Sequence, residues 1–290
     1  MQRLKPSQVV VIDSSSTDGT ASRARAEGFT VLEIDRQAFN HGGTRNQAAL
    51  CLPRADILIY LTQDAIPRGA DSFSNLVAAF RDPAIAAAYG RQIPRRGAST
   101  IEAHARLFNY PPSSQVRSLK SRSALGFKSI FFSNSFGAFR RSALMSVGGF
   151  SPHAEFGEDT LAVARLHHAG WKTAYVADAL AEHSHAYSLE REFRRYFEIG
   201  RFHARERWLM EEFGSAAGEG RRFVVSELRY LLKHEPFQIP SALLRALLKY
   251  AAYQAGRREA RLPWRRRRAP AADLAGSSAI HSQKEHRRIA

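Results

Sequence analysis

QVVVIDSSSTDGT, residues 8–20, is the stretch of sequence that indicates the fold most directly. Residues 8–12 are dominated by β-branched side chains, which is typical of a buried strand. The small polar residues that begin at Asp13 supply a turn and helix-capping groups, and we predict a helix from there to Glu27. A strand that passes through a polar turn into a helix is the building unit of α/β proteins, so the stretch predicts an α/β fold.

The same alternation continues along the chain to about residue 180. Strand patterns recur at 29–34, 57–62, 85–92, 131–139 and 172–176, and helix patterns at 44–52, 72–80, 101–108, 141–147 and 160–169. This alternation predicts a mostly parallel, Rossmann-like sheet covered by helices. Beyond Ser188 the pattern is helical, at 189–213, 222–234 and 241–255. We therefore predict an α/β domain over 1–188, a helical extension over 189–262 and a basic disordered tail over 263–290.

The composition excludes several classes of protein. With 290 residues, 44% of them hydrophobic, the chain can bury a core and is not wholly disordered. No apolar run approaches the roughly 18 residues of a transmembrane helix, and residues 1–11 lack a secretory signal, so we expect a cytoplasmic protein. The single cysteine, Cys51, excludes an internal disulfide and is more typical of a small core residue than of a nucleophile.

The charge predicts an anionic partner for the carboxyl-terminal third. The net charge is +16, and the part from Glu190 onward carries 22 basic and 12 acidic residues. Nucleic acid and the phospholipid headgroups of a membrane are the two candidates. No helix-turn-helix, zinc-finger or RNA-binding signature is found, which disfavours nucleic acid. The leucine-rich helix pattern at 241–255, followed by the run Arg265–Arg268, favours a helix that lies on an anionic membrane surface.

Two polar clusters follow strands and are expected to line one crevice, because the carboxyl ends of parallel strands meet at one edge of a sheet. One is Asp13 to Asp18, and the other is Thr62-Gln63-Asp64. A carboxylate at the end of a strand binds hard cations that bridge nucleotide phosphates. Asp64 is therefore a candidate metal ligand, although such a residue equally often caps the next turn.

Three further segments carry candidate chemistry. Glu158 and Asp159 follow a glycine at a helix start, where one carboxylate is favoured by the helix dipole and a second suits a general base. His183 and His185 follow the last strand, and at most one of them is expected to reach a metal beside Asp64. A lone histidine is usually structural, but His183 is the preferred candidate ligand. Arg45, behind a glycine pair, suits a phosphate or a carboxylate, or simply a helix cap.

Taken together, these segments resemble the family 2 glycosyltransferases of GT-A fold, and most closely the rhamnosyltransferase-like branch that assembles bacterial surface polysaccharides. The matching sequence segments are 11–20, 39–47, 61–65, 157–160, and 169–172 continuing to 183–185. The resemblance covers about residues 8–205. Two departures are visible. Thr62 stands where the family commonly has the first aspartate of its Asp-x-Asp motif. The domain also lacks the further strand and helix that usually precede the strand ending at Asp13.

The resemblance implies a role for each matched residue. Asp159, with Glu158, would be catalytic; Asp64 and His183 would hold a divalent cation, Mg²⁺ or Mn²⁺. The nucleotide-sugar-binding set would be Asp13, Ser15, Asp18, Arg45, Asn46, Gln63 and Asp64.

The predicted activity is a metal-dependent, inverting transfer of rhamnose or another deoxyhexose from a nucleoside diphosphate to a lipid-linked glycan, at the inner face of the cytoplasmic membrane. The rival hypotheses are a catalytically degenerate scaffold of a glycan-assembly complex and, less favoured, a nucleic-acid-binding protein.

Overall fold

The computed structural model describes residues 2–154, 156–185, 187–215 and 217–262. The strands are β1 Val10–Asp13, β2 Thr30–Glu33, β3 Ile57–Leu61, β4 Ile66–Pro67, β5 Ile85–Ile93, β6 Gln115–Arg117, β7 Phe136–Arg140 and β8 Lys172–Glu182. The helices are α1 Thr20–Ala26, α2 His41–Leu50, α3 Ser72–Ala78, α4 Thr100–Asn109, α5 Arg122–Leu125, α6 Arg141–Ser146, α7 Glu158–His168, α8 Leu189–Arg205, α9 Arg207–Phe213, α10 Ala217–His234 and α11 Ile239–Glu259. The predicted tail, 263–290, lies outside the described residues.

The strands form a mixed sheet, so the expectation of a mostly parallel sheet is wrong in strand direction, while the helix-covered α/β fold with its helical extension is confirmed. β1 and β2 pair in parallel as a separate two-stranded sheet. The larger sheet has the order β3-β7-β5-β8-β4, with β6 also on β8. β7 is antiparallel to both β3 and β5, whereas β5 and β8 are parallel. The connection between β5 and β7 starts and ends at the same edge of the sheet, so β7 runs antiparallel to β5.

This topology brings four polar segments to one edge of the sheet. The carboxyl ends of β3, β5 and β8 meet there, and so does the segment that enters β7. β8 continues beyond the predicted end at Val176 because three extra residues bulge between its pairs with Gly90 and Arg91. The strand therefore reaches Glu182, and the backbone N–H of His183 donates to the carbonyl of Ile93 at 3.0 Å.

The core lies on both faces of the larger sheet. One cluster includes Leu76, Ile85 and Phe136, and the other includes Tyr89 and Leu161, all almost fully buried. Their burial fixes the sheet against α3 on one face and α7 on the other, so the edge that carries the polar segments is held rigidly.

The helical extension packs through two glycines. A Cβ atom at Gly200 of α8 would lie 2.2 Å from the carbonyl oxygen of Tyr253, and one at Gly256 of α11 would lie 2.0 Å from that of Phe197. Only glycine allows the two helices to approach this closely. α11 therefore packs on α8 through its small residues, which leaves Leu243, Leu244 and Leu247 exposed. Among the described helices, none is both long and apolar enough to cross a membrane.

Candidate active site

A cavity of about 2290 Å³ opens at the polar edge of the sheet. Its lining includes Asp13 and Asp18 from one predicted cluster and Gln63 and Asp64 from the other, so the expectation that both clusters line one crevice is confirmed. The opposite wall is built by α4, α8, α10 and α11. The cavity is therefore shared between the sheet and the helical extension.

Asp64, His183 and His185 form a compact cluster in this cavity. Nε2 of His183 lies 3.3 Å from Oδ1 of Asp64, and Nδ1 of His185 lies 3.4 Å from Oδ2. The three potential ligand atoms all lie within 4.8 Å of one another. The expectation that only one histidine would reach the site is therefore wrong. Side chains two positions apart in an extended segment lie on the same face, so this spacing favours both histidines beside Asp64.

The hydrogen bonds of His183 define which of its nitrogens is free. Nδ1 lies 2.8 Å from Oε1 of Gln92, an oxygen that also accepts from Arg106 at 2.8 Å. The amide oxygen of Gln92 cannot donate a hydrogen bond, so Nδ1 of His183 carries the proton and Nε2 keeps its lone pair. Burial, with the positive charge of Arg106, lowers the pKa of His183 to about 4, so the ring is neutral near pH 7.

Asp64 is kept ionised beside these histidines. Burial acts to raise its pKa, but the Thr62 hydroxyl, which donates to Oδ1 at 2.6 Å, holds the pKa below the usual range. A lone pair and a carboxylate oxygen thus face each other at 3.3 Å with no proton between them. One carboxylate and two neutral imidazoles in this arrangement fit a divalent cation with nitrogen and oxygen ligands. Thr62 orients the carboxylate and does not itself replace a second acidic ligand.

Glu158 and Asp159 begin α7 on the other side of the cavity. Gly157, with φ of 76°, makes the turn before them, and a Cβ atom there would lie 2.7 Å from the ring of Phe202. Glu158 is buried and forms an ion pair with Arg45, and Nδ2 of Asn134 donates to the same oxygen at 3.3 Å. These contacts hold the Glu158 side chain in place, whereas Asp159 is partly exposed to the cavity.

The surroundings of Asp159 suit a general base. Its Oδ2 accepts from the backbone N–H of Asn134 at 3.3 Å, and its Oδ1 accepts from that of Thr160 at 2.7 Å. Burial and the neighbouring charge of Glu158 raise the pKa of Asp159 to about 7. A carboxylate with a pKa near 7 takes up a proton far more readily than an ordinary aspartate does.

The first polar cluster is held by its own backbone. Oδ2 of Asp13, a buried residue, accepts from the N–H of Ser16 at 2.8 Å, and Asp18 accepts from the N–H of Thr20 at 3.0 Å. Both aspartates line the cavity. Ser15 does not; its hydroxyl donates to the carbonyl of Ile34 at 3.0 Å, and its positive φ of 56° shapes the turn.

The remaining predicted nucleotide-site residues divide in the same way. Arg45 and Gln63 line the cavity, and Gln63 is exposed. Asn46 points elsewhere: its Nδ2 donates to the carbonyl of Phe150 at 2.8 Å, and its Oδ1 accepts from the N–H of Phe150 at 2.9 Å. The structure therefore places Asn46 as a support for the turn that precedes residue 151, away from the cavity lining.

Sequence reasoning missed three residues that hold the site together. These are His185 at the metal cluster, Gln92 behind His183, and Asn134 between the two carboxylates of α7. A signal existed for Gln92, because it is a polar residue near the end of the apolar strand Ile85–Ile93. Asn134 carried none, since only the reversed direction of β7 brings the segment before that strand to the polar edge.

Comparison with known proteins assigns the family. The sequence model described as glycosyl transferase family group 2 matches residues 57–255. The O-antigen chain rhamnosyltransferase RfbN of Salmonella typhimurium is 45% identical over 263 residues, which is 90% of this chain and 84% of that protein. The O-antigen chain rhamnosyltransferase WbaN of Salmonella anatum is 43% identical over 262 residues, 90% of this chain and 83% of that protein.

Among solved structures, the mannosyltransferase PcManGT from Pyrobaculum calidifontis, in complex with GDP-Man and Mn²⁺, has a TM-score of 0.50 to this chain. It is 21% identical, and the match covers 86% of this chain and 66% of that one. This likeness supports the GT-A fold. The family match and the two relatives show that the chain belongs to glycosyl transferase family group 2 and is a rhamnosyltransferase-like glycosyltransferase.

Proposed function

We propose that this glycosyltransferase moves rhamnose, or another deoxyhexose, from a nucleoside diphosphate to a hydroxyl group of a lipid-linked glycan in O-antigen synthesis. Both curated relatives are O-antigen chain rhamnosyltransferases, and each matches nine tenths of this chain. The observation that carries the proposal is that Asp159, whose pKa is about 7, and the Asp64–His183–His185 cluster open into one cavity. An acceptor hydroxyl and a departing diphosphate thus find complementary groups in the same space.

Asp159 acts on the acceptor. Its carboxylate accepts the proton of the acceptor hydroxyl as the oxygen attacks the anomeric carbon of the sugar. The ion pair of Glu158 with Arg45 and the N–H of Asn134 keep Asp159 at the start of α7. A single displacement from the side opposite the diphosphate inverts the anomeric configuration, so one base is sufficient.

Asp64, His183 and His185 would hold a divalent cation, with Mg²⁺ and Mn²⁺ as the candidates. When bound, such an ion neutralises charge on the departing diphosphate. The hydrogen bond from His183 to Gln92 fixes the ring so that Nε2 faces Asp64. Asp13, Asp18, Arg45 and Gln63 line the same cavity and are the proposed contacts of the nucleotide sugar.

A lipid-linked acceptor agrees with an exposed apolar surface near the turn between α10 and α11. The exposed side chains are Leu232, Phe237, Leu243, Leu244, Leu247 and Tyr250, of which Phe237 is 75% and Leu247 69% exposed. Arg257 and Arg258 follow in the last turn of α11, and four more arginines occur at 265–268. Apolar residues beside a basic segment suit binding to an anionic lipid surface, and we propose that this patch docks on the inner face of the cytoplasmic membrane. The hydroxyl of Tyr253, also on α11, lies 3.1 Å from Nδ1 of His203.

Membrane binding should depend on both the leucines and lipid charge. We expect the protein to co-sediment with phosphatidylglycerol liposomes but not with phosphatidylcholine liposomes, and added salt should weaken the binding. The double substitution Leu244→Asp and Leu247→Asp should reduce the bound fraction at least about threefold, since two carboxylates oppose insertion and add repulsion. Leu50→Asp, at a leucine of α2 with 67% exposure, is the matched control. Equal recovery on both lipids would refute the docking surface.

Sugar transfer tests the proposed function. The protein, a nucleoside diphosphate rhamnose and a lipid-linked glycan should yield an extended glycan when Mn²⁺ is present, and the yield should fall when the ion is chelated. Donor cleavage without any transfer to several acceptors would argue against this acceptor class. A protein that neither binds nor cleaves the donor would instead support the scaffold hypothesis.

A further inference from the structure

A second group of cavity residues lies apart from the metal cluster and Asp159, on the helical wall. α8, α10 and α11 each turn one face to the cavity, with lining residues three or four positions apart. On α10 the spacing is seen at Phe223 and Glu227, and on α11 at Lys249 and Tyr253. Three helix faces converge on one space, and that space is continuous with the site already described.

The chemistry of this wall differs from that of an ordinary helix interface. Nζ of Lys249 lies 5.7 Å from the ring centre of Tyr196 and 5.8 Å from that of Phe223. Nζ of Lys128 lies 5.0 Å from the ring centre of Phe108 on α4. Binding sites for organic ligands are lined by hydrophobic and aromatic side chains together with a few placed polar or charged groups.

Glu227 is the residue on this wall whose hydrogen bonding is incomplete. Its side chain lines the cavity, the residue is 3% exposed, and Oε1 has no hydrogen-bond partner among the described residues. The nearby cations are engaged elsewhere: Arg245 and Lys249 form ion pairs with Glu192 at 2.9 and 3.4 Å. A buried carboxylate oxygen without a donor is costly, so its presence calls for a partner that the described part of the chain does not supply.

The helical wall is hydrogen-bonded to the segment that follows His183 and His185. Nη1 of Arg245, besides its contact with Glu192, donates to the carbonyl of Tyr187 at 3.2 Å. Tyr187 also lines the cavity and follows His185 by two residues. A ligand on the helical wall would therefore lie in the same cavity as the proposed donor, and Arg245 ties α11 to the segment that follows His185.

We infer that the face formed by Tyr196, Phe223, Glu227 and Lys249 is a sugar-binding subsite for the acceptor glycan, in which a sugar hydroxyl donates to Glu227. Aromatic rings cover the apolar faces of a sugar ring, and the carboxylate accepts from its hydroxyl groups. The identification of the ligand as the acceptor rests on the proposed function. The presence of a sugar subsite rests on the wall itself.

Binding can be tested without catalysis. Saturation-transfer NMR would be recorded with the methyl glycosides of rhamnose, mannose, galactose and glucose. The protein would be saturated by nucleoside diphosphate and Mg²⁺, which is diamagnetic, to occupy the donor side. At least one glycoside should give a signal. Glu227→Gln keeps the shape of the side chain but makes it a weaker hydrogen-bond acceptor, and Phe223→Leu removes the aromatic ring. Each substitution should abolish the signal. Glu211→Gln, an exposed glutamate of α9 outside the cavity lining, should leave it unchanged.

Kinetics then identify the ligand. Glu227→Gln should raise the KM of the lipid-linked acceptor at least about tenfold, as expected for loss of a hydrogen bond to a charged group, while the donor Kd and the rate of donor hydrolysis stay within twofold. Absence of a signal from every glycoside, as expected if a buried water satisfies Glu227, would overturn the subsite. An unchanged acceptor KM would overturn the assignment of this subsite to the acceptor glycan. A wild-type protein that binds a glycoside but never transfers sugar would refute the proposed function and leave the subsite standing.

Discussion

Replacing Asp159 by asparagine is expected to lower the turnover number by about 10² to 10⁴, the usual contribution of a positioned general base. Asparagine has nearly the same shape and can still accept from the N–H of Asn134 or Thr160, but it cannot take up the acceptor proton. Donor binding should therefore survive. Steady-state rates and calorimetric donor titration measure the two effects separately, and a variant that keeps more than about a tenth of wild-type turnover would show that Asp159 is not the base.

Two controls separate loss of the base from damage to the fold. Asp178→Asn makes the same chemical change at an exposed position in the β8 bulge and should have no effect. The stability of Asp159→Asn follows from the pKa of Asp159, which folding raises from 3.8 to about 7. The folded state therefore holds the extra proton between these values, and stability is lost as the pH rises through this window. Above pH 7 the asparagine variant should unfold at the same temperature as the wild type or higher.

The same pKa predicts the pH dependence of the wild-type enzyme. Asp159 must be ionised to accept a proton, so turnover should rise with pH and level off above about 7. That limb should be missing from the residual rate of Asp159→Asn.

Replacing Asp64 by alanine is expected to abolish the tightening of donor binding that Mn²⁺ causes. Asp64 is the carboxylate of the cluster, and without it two neutral imidazoles remain. Residues that merely hydrogen-bond a metal ligand change metal affinity by roughly 10- to 100-fold, so loss of the carboxylate itself should exceed about 100-fold. Calorimetric titration of the donor with and without Mn²⁺ measures the effect, and unchanged Mn²⁺-dependent affinity would eliminate this cluster as the metal site.

Substitutions around Asp64 should reduce Mn²⁺ affinity by different amounts. His183→Ala and His185→Ala should each weaken Mn²⁺ binding, and Gln92→Ala should weaken it less, because Gln92 only orients His183. Asp178→Ala is the exposed control. A larger effect at Gln92 than at His183 would contradict the assignment of ligands.

The positions of the elements were largely predictable because they depend on local periodicity. The strand expected at 85–92 is found at Ile85–Ile93, and the helix expected at 101–108 at Thr100–Asn109. Strand direction was not predictable, because the apolar pattern of β7 is the same whichever way the strand runs. Apart from the helix at Thr100–Asn109, the connection between β5 and β7 is too polar in composition to predict further elements. It contains further structure that depends on tertiary contacts, such as buried Arg117, which donates to the carbonyl of Lys128 at 2.9 Å.

The candidate site was also predictable from the sequence only in part. Asp64, His183 and Asp159 were predictable because each follows a strand or starts a helix at a recognisable polar motif, and the resemblance connected them. The second histidine was excluded wrongly, because side chains two positions apart in an extended segment share a face and both can reach Asp64. The helical wall with Glu227 gave no sequence signal, since a glutamate on an amphipathic helix normally faces water. Only the convergence of α8, α10 and α11 buries it.

Sugar transfer measured on matched proteins tests the central claim most directly. Wild type, Asp159→Asn, Asp64→Ala and Asp178→Asn would each receive a nucleoside diphosphate rhamnose labelled in the sugar, a lipid-linked glycan, and either Mn²⁺ or a chelator. The account predicts that label enters the glycan with wild type and Asp178→Asn only when Mn²⁺ is present, and that both site variants transfer at most about a hundredth as much. Transfer that persists at the wild-type rate in Asp159→Asn, or with the cation removed, would contradict it.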